Sequence, residues 1–132
     1  MAFPVPFLMR DNNYLREHHP PSKMLSMEDR QELIDQMVAV IVRRFEPERI
    51  ILFGSHARGD WGPDSDIDLL VVMRFAGPKR EQQVRIRAAL RQFRAPKDII
   101  VTTPDDFAWR KDVVGTIEWP ATREGKVLYA RA

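Results

Sequence analysis

Residues 50–73 read IILFGSHARGDWGPDSDIDLLVVM, and the rest of the chain is understood from them. The stretch opens with an apolar run, Ile50-Ile51-Leu52-Phe53, that stops at Gly54-Ser55. It closes with a second run, Leu69-Leu70-Val71-Val72, entered through Ser65-Asp66-Ile67-Asp68. Short β-branched and aromatic runs bounded by Gly, Pro, Asp and Ser read as buried strands. The connection between them, residues 56–64, is too long for a tight hairpin turn. Polar chemistry is therefore held at the ends of two strands, where rigid scaffolds tend to carry function.

Spacing gives the chemistry. If Asp66 and Asp68 begin a strand, their side chains share a face, because the strand period is two. Their α-carbons are then about 6.6 Å apart. Side-by-side carboxylates repel unless a cation sits between them, and a hard divalent ion with oxygen ligands suits the pair. Gly54 lets a polyphosphate approach the backbone closely, and Ser55 adds a hydroxyl and an amide donor. Alone, an Asp-x-Asp at a strand entrance is often a solvated turn, and a lone Gly-Ser says less. The ordered combination of Gly54-Ser55, Gly59 and Ser65-Asp66-x-Asp68-Leu69 between two apolar strands argues for a metal and nucleoside triphosphate site.

That order, G-S-x3-G-x5-S-D-x-D-L, resembles the signature of nucleotidyltransferases of the DNA polymerase β superfamily. The chain is similar in particular to their minimal nucleotidyltransferase (MNT) domains, many of which are antitoxin partners of HEPN-domain RNases. The resemblance covers roughly residues 28–131. It implies a polymerase-β-like α/β (α+β) fold, ATP or another NTP as donor, two Mg²⁺ ions and transfer of a nucleotidyl group to an acceptor hydroxyl. On that reading Asp66 and Asp68 hold the cations, while Gly54, Ser55 and Ser65 cradle the polyphosphate. Arg58 reaches a phosphate or a partner surface, or is a solvated loop residue. His56, beside Ser55, is not required by the family chemistry, and Trp61 reads as a loop anchor.

Whole-chain properties bound the possibilities. A length of 132 residues suits one domain able to bury about two-thirds of its unfolded surface. The chain is 44% apolar and 30% charged, with a formal net charge of only +2, so direct nucleic-acid binding is not expected of the chain as a whole. Absence of cysteine excludes disulfides and thiolate metal sites. No apolar stretch approaches the ~20 residues of a membrane span, and the proline-broken opening MAFPVPFLM makes a poor signal peptide. A cytoplasmic location follows as the expectation.

Taken in order, residues 1–25 hold Pro4, Pro6, Pro20 and Pro21 and no sustained period, which reads as an irregular arm ahead of a nucleotidyltransferase domain at 26–132. Phe3, Val5, Phe7, Leu8 and Met9 suggest that the arm docks on its own domain or a partner. His18 and His19 lack further ligands at zinc spacing and read as solvated. Ser26 and Asp29 resemble a helix cap, and Leu33, Ile34, Met37, Val38, Ile41 and Phe45 form an amphipathic stripe ended by Pro47. Residues 79–94 read as a helix on which Arg87, Arg91 and Arg94 form a basic ridge, either a solvated face or a surface for an acidic partner or RNA. A third strand runs from Asp98 to Thr102. Thr103-Pro104-Asp105-Asp106 then starts a helix whose buried stripe is Phe107, Val114 and Ile117. Gly125 stops a helix ahead of a short extended segment.

Topology follows from the site. For one metal–triphosphate complex to touch Gly54-Ser55 and Asp66-Asp68, the first two strands must run antiparallel. A helix between the second and third strands predicts a parallel right-handed crossover, giving a small mixed β-sheet backed by helices. Asp98 begins the third strand, about 4.8 Å from the second if the two are adjacent, and points into the site if its alternation matches that of Asp66 and Asp68. The resemblance implies the same role, a third acid that helps deprotonate the acceptor hydroxyl; the alternative is a turn position after Pro96. Asp105 and Asp106 fit a helix start better. Three functions remain: an enzyme adenylylating a HEPN-type toxin, a module that neutralises a partner by contact, or a transferase for a small molecule such as an aminoglycoside or for RNA. Self-association or a HEPN-domain partner is expected.

Overall fold

The computed structural model describes residues 27–132, so the arm expected over 1–25, with its histidines, and the Ser26 cap lie outside the described residues. The first described element is helix α1 (Met27–Phe45). Its Ile34, Met37, Val38 and Ile41 are buried, as the i, i+3, i+4 spacing predicts, and Leu33 and Phe45 pack at the margin. Arg43 and Arg44 occupy its last turn, and Glu46 turns the chain at φ 49 just ahead of Pro47. A residue before proline is disfavoured in the helical region, so the chain departs there into strand β1 (Arg49–Phe53).

A single helical turn, α2 (Ser55–Arg58), follows, and strand β2 (Ile67–Val72) returns antiparallel with Asp68 opposite Phe53. Helix α3 (Lys79–Ala89) crosses over to strand β3 (Lys97–Thr102), which pairs parallel to β2 with Asp98 beside Asp68. Helices α4 (Pro104–Arg110) and α5 (Glu118–Glu124) lead to strand β4 (Lys126–Ala130), antiparallel on the free side of β1. The sheet order is β3-β2-β1-β4. The antiparallel first pair and the parallel crossover are those the sequence predicts.

Strand alternation divides the core in two. Ile50, Leu52, Ile67, Leu69, Val71, Ile99 and Val101 face α1 and α3, which supply Met37, Ile41 and Ile86, with Leu90 just past the end of α3. Ile51, Leu70 and Val72 face the other way and are covered by Phe107 of α4 and Ala121 of α5. Coverage on both faces explains why these strands read as unbroken apolar runs. The second face is covered only in part. By the same alternation Asp68 and Asp98 belong to it, one step beyond Leu70 and Ile100.

Two local expectations are corrected. Helix α3 ends at Ala89 rather than 94. Beyond it the amides of Leu90, Arg91 and Phe93 bond three residues back, to Arg87, Ala88 and Leu90, a tightened exit ahead of Ala95-Pro96, where proline disfavours helix in the preceding residue. Arg91 and Arg94 therefore leave the helical line of Arg87, and no continuous ridge forms. The stripe expected of Phe107, Val114 and Ile117 holds for Phe107 alone. Gly115 at φ 100 separates α4 from α5, and the hydroxyl of Thr116 accepts from the Trp119 amide at 3.2 Å to start α5. Val114 is left 75% exposed and Ile117 42%. Thr103 caps α4 as expected, its hydroxyl accepting from the Asp106 amide at 3.1 Å. Among the described residues no helix is long and apolar enough to cross a membrane.

Candidate active site

Gly54 ends β1 at φ 74 and ψ −156, a region that side chains rarely tolerate. A Cβ at this position would overlap Oδ2 of Asp68 and lie 3.1 Å from its Cγ. The Asp68 carboxylate thus lies directly against the Gly54 backbone, in space only a glycine leaves open. The Gly54 carbonyl accepts from the amides of Ala57 and Arg58, both at 3.1 Å, which winds α2 immediately after the strand. Gly59 at φ 89 closes that turn. Ser55 opens α2 beside this cradle. The hydroxyl of Ser65 accepts from the Gly62 amide at 2.8 Å, bracing the loop that leads into β2.

Asp68 is half-buried. Its burial, with the charges of Asp98 and Asp66, pushes its carboxyl up to about 6, and Arg58 pulls the other way. Register and electrostatics agree: Asp98 stands beside Asp68 on the neighbouring strand, and Asp66 is near enough to be felt. The three expected acids therefore gather at one edge of the second sheet face. They do not form a closed ligand cluster, for among the described residues no three His, Cys, Asp or Glu groups are drawn tightly enough to enclose a metal ion. Asp98 instead accepts from the Arg87 guanidinium at 3.4 Å. Arg58 is bonded to Asp60 at 3.3 Å and to Glu124 at 3.5 Å, so its guanidinium is held at the rim.

A second group of polar residues lies behind the loop. His56 is buried, its Nδ1 is 2.9 Å from the Asp66 carbonyl, and its ring stacks on Trp61 at 5.0 Å and 11°. The Arg30 guanidinium lies 5.1 Å over the same indole. Burial lowers the His56 pKa, the bond to the Asp66 carbonyl raises it, and the Arg30 charge lowers it again. Burial also lowers that of Arg30. Sequence reading placed Trp61 as a loop anchor, consistent with this packing. It gives His56 no catalytic task, and it puts Arg87 on a basic ridge rather than against Asp98.

The residues suit a hard cation on two counts. The Asp68 carboxyl, whose proton affinity burial and the charges of Asp98 and Asp66 raise, would be relieved by positive charge, and the Gly54 cradle leaves the backbone open to a bulky anion. The donors are all oxygen, the ligand set of Mg²⁺ rather than of a soft metal.

Comparison with known proteins places the chain. A family profile described as a nucleotidyltransferase domain matches residues 34–120. A Methanocaldococcus jannaschii protein, provisionally named a protein adenylyltransferase, is 38% identical over 55 residues, which is 42% of this chain and 54% of that protein. The chain therefore matches only about half the length of that relative. A crystal structure from Sulfolobus solfataricus, provisionally named a nucleotidyltransferase, superposes with a TM-score of 0.52 at 27% identity over 86% of this chain and 92% of its own. A toxin–antitoxin structure with AMP-PNP aligns more loosely, with a TM-score of 0.48 at 19% identity over 74% of this chain and 73% of its own. With a profile match spanning β1, the glycine cradle that follows it, and the strands β2 and β3 where Asp68 and Asp98 stand, the chain belongs to the nucleotidyltransferase-domain family.

Proposed function

We propose that the chain is a divalent-cation-dependent transferase that moves AMP from ATP to a hydroxyl on a partner protein. The observation that carries this reading is the Asp68 carboxyl, set against Gly54 and lifted to about 6 by burial and by two neighbouring aspartates. Such a group is poor as a lone carboxylate and well suited to a cation. Two Mg²⁺ ions, when bound, supply charge neutralisation on the triphosphate and polarise the acceptor oxygen. Asp66 and Asp68 would hold them from the start of β2, with Asp98 as the third acid. Gly54 admits the polyphosphate to the backbone, and Ser55 and Ser65 offer donors. Arg58 offers its guanidinium from the rim.

The acceptor oxygen bonds to the α-phosphorus as the bond from that phosphorus to the β-bridging oxygen breaks. Pyrophosphate leaves with the electron pair, and Asp98 takes the hydroxyl proton. Positioning and electrostatics then supply most of the rate, as in other phosphoryl-type transfers. We further propose that the acceptor is a HEPN-type toxin and that the chain acts in the cytoplasm as its antitoxin. Support comes from the motif's likeness to minimal nucleotidyltransferases and from the provisional name of the M. jannaschii relative.

The test is incubation of α-labelled ATP and Mg²⁺ with the chain and a HEPN protein of the same genome. Label on the partner is expected, lost with Asp66→Asn or Asp68→Asn. Asp98→Asn should keep most ATP binding and lose transfer, and a fully active Asp98→Asn variant removes that residue from the mechanism. A stable, inhibited but unlabelled complex would replace catalysis with neutralisation by contact.

A further inference from the structure

The buried group behind the loop has a task that the transfer chemistry does not use. His56 is the second residue of α2 and is only 6% exposed. A carbonyl only accepts, so the 2.9 Å contact to the Asp66 oxygen places a proton on Nδ1, which donates. Nε2 is buried without a partner among the described residues. The ring is fixed in its plane by Trp61, itself covered by an Arg30 guanidinium that is 1% exposed. Other hydrogen bonds in residues 59–66 stay within the loop or return to α2, as the Gly59 and Asp60 amides to Ser55, the Arg58 guanidinium to the Asp60 carboxylate and the paired contacts of Gly62 with Ser65 do. Among the described residues the His56 bond is thus the side-chain tie from the turn after β1 to the residue that precedes β2.

We infer that His56 is a positioning residue: its Nδ1–H holds the Asp66 backbone, and through it the Asp66 carboxylate, in line with Asp68 for cation binding. The inference rests on the site reading given above. Asp66 lies outside the β2 ladder, which begins at Ile67. Its own backbone carbonyl is anchored by a side chain rather than by a strand partner. A ring flattened against an indole has little freedom, so the donor reaches the carbonyl already oriented. Partners that orient metal-holding groups typically carry about a 10–100-fold share of metal affinity.

The test separates the donor from the packing. His56→Phe keeps a ring against Trp61 and removes the donor. His56→Asn places an amide N–H where Nδ1 stood. Mn²⁺ binding is measured by electron paramagnetic resonance in the presence of a non-transferable ATP analogue, beside Mg²⁺-dependent transfer and a thermal melt. The expected result for His56→Phe is a rise of about 10–100-fold in the cation concentration needed, with transfer at saturating cation and the melt close to wild type. His56→Asn should restore most of the affinity. Long-range ¹⁵N correlation should find the wild-type proton on Nδ1.

Wild-type cation affinity in the folded His56→Phe variant would overturn the inference, as would a proton on Nε2. Loss of transfer at every cation concentration would also overturn it, by giving His56 a part in the chemistry itself. If wild type binds Mn²⁺ but transfers nothing, the transfer reading fails while the positioning role is still decided by the binding data. If wild type binds no Mn²⁺ at all, both fall together.

Discussion

At the scale of single residues, Asp68 shows function and stability in conflict. Its folded pKa, about 6, is raised above the ordinary value of 3.8. A carboxyl whose pKa is raised on folding weakens the metal-free protein at every pH where both states are ionised. The penalty is complete above pH 7 and is relieved as pH falls through 6. At about 1.4 kcal/mol per unit it amounts to at most ~3 kcal/mol, less where solvent screens the site. We expect Asp68→Asn to melt higher than wild type at pH 8 without metal, with the gap narrowing toward pH 5. His56 titrates in both proteins and cancels from the difference. Mg²⁺ should raise the wild-type melt at pH 8 and leave the variant's unchanged. An equal gap at both pH values would remove the assigned cause.

Gly54 and Gly59 offer a paired test. Both have positive φ, but a Cβ meets Asp68 at the first and nothing within 4 Å at the second. Gly59→Ala should cost about 1–2 kcal/mol of stability from the backbone alone and keep transfer. Gly54→Ala should displace the carboxylate as well, and a misplacement of about 1 Å is enough for a ~100-fold loss of transfer. Comparable activities in the two variants would count against the cradle.

Elements explain how far the sequence could be read. β1, β2 and β3 were legible because each is a short apolar run with turn residues at both ends. Asp98 was legible as a candidate because a crossover helix makes its strand parallel to β2, so both strands start at one edge. The end of α3 was not, since the arginine spacing continues past Ala89 while Pro96 acts from outside the periodic segment. Val114 and Ile117 misled for a similar reason: their spacing is helical, but α4 ends at Arg110 and both lie in the turn-rich connection around Gly115. The tie made by His56 was hidden because its partner is a backbone carbonyl, and no side-chain pattern marks a carbonyl. At the same scale, Gln83 of α3 accepts from the Val101 amide at 3.0 Å, on β3, one of the two edge strands of the sheet. Such a bond caps an edge that would otherwise invite another strand. Gln83→Ala should therefore cost about 1–3 kcal/mol for the orphaned amide, read by chemical denaturation, and a neutral result would show that water replaces the glutamine freely.

For the molecule as a whole, the order β3-β2-β1-β4 puts the gathered acids on one side of β1 and the C-terminal strand on the other. β2 is buried along nearly its whole length, whereas no side chain of β4 is fully buried. β1 and β2 are joined through residues 54–66, while β4 reaches β1 only after the chain has passed through β2, α3, β3, α4 and α5. The order implies a gradient in time. Peripheral strands with few buried contacts open with a small free energy and central ones only on global unfolding. In deuterated water the β4 amides should exchange first and those of β2 last. If so, the breathing of the sheet runs from the far edge inward, and Asp68 and Asp98 keep their spacing while β4 detaches and returns many times.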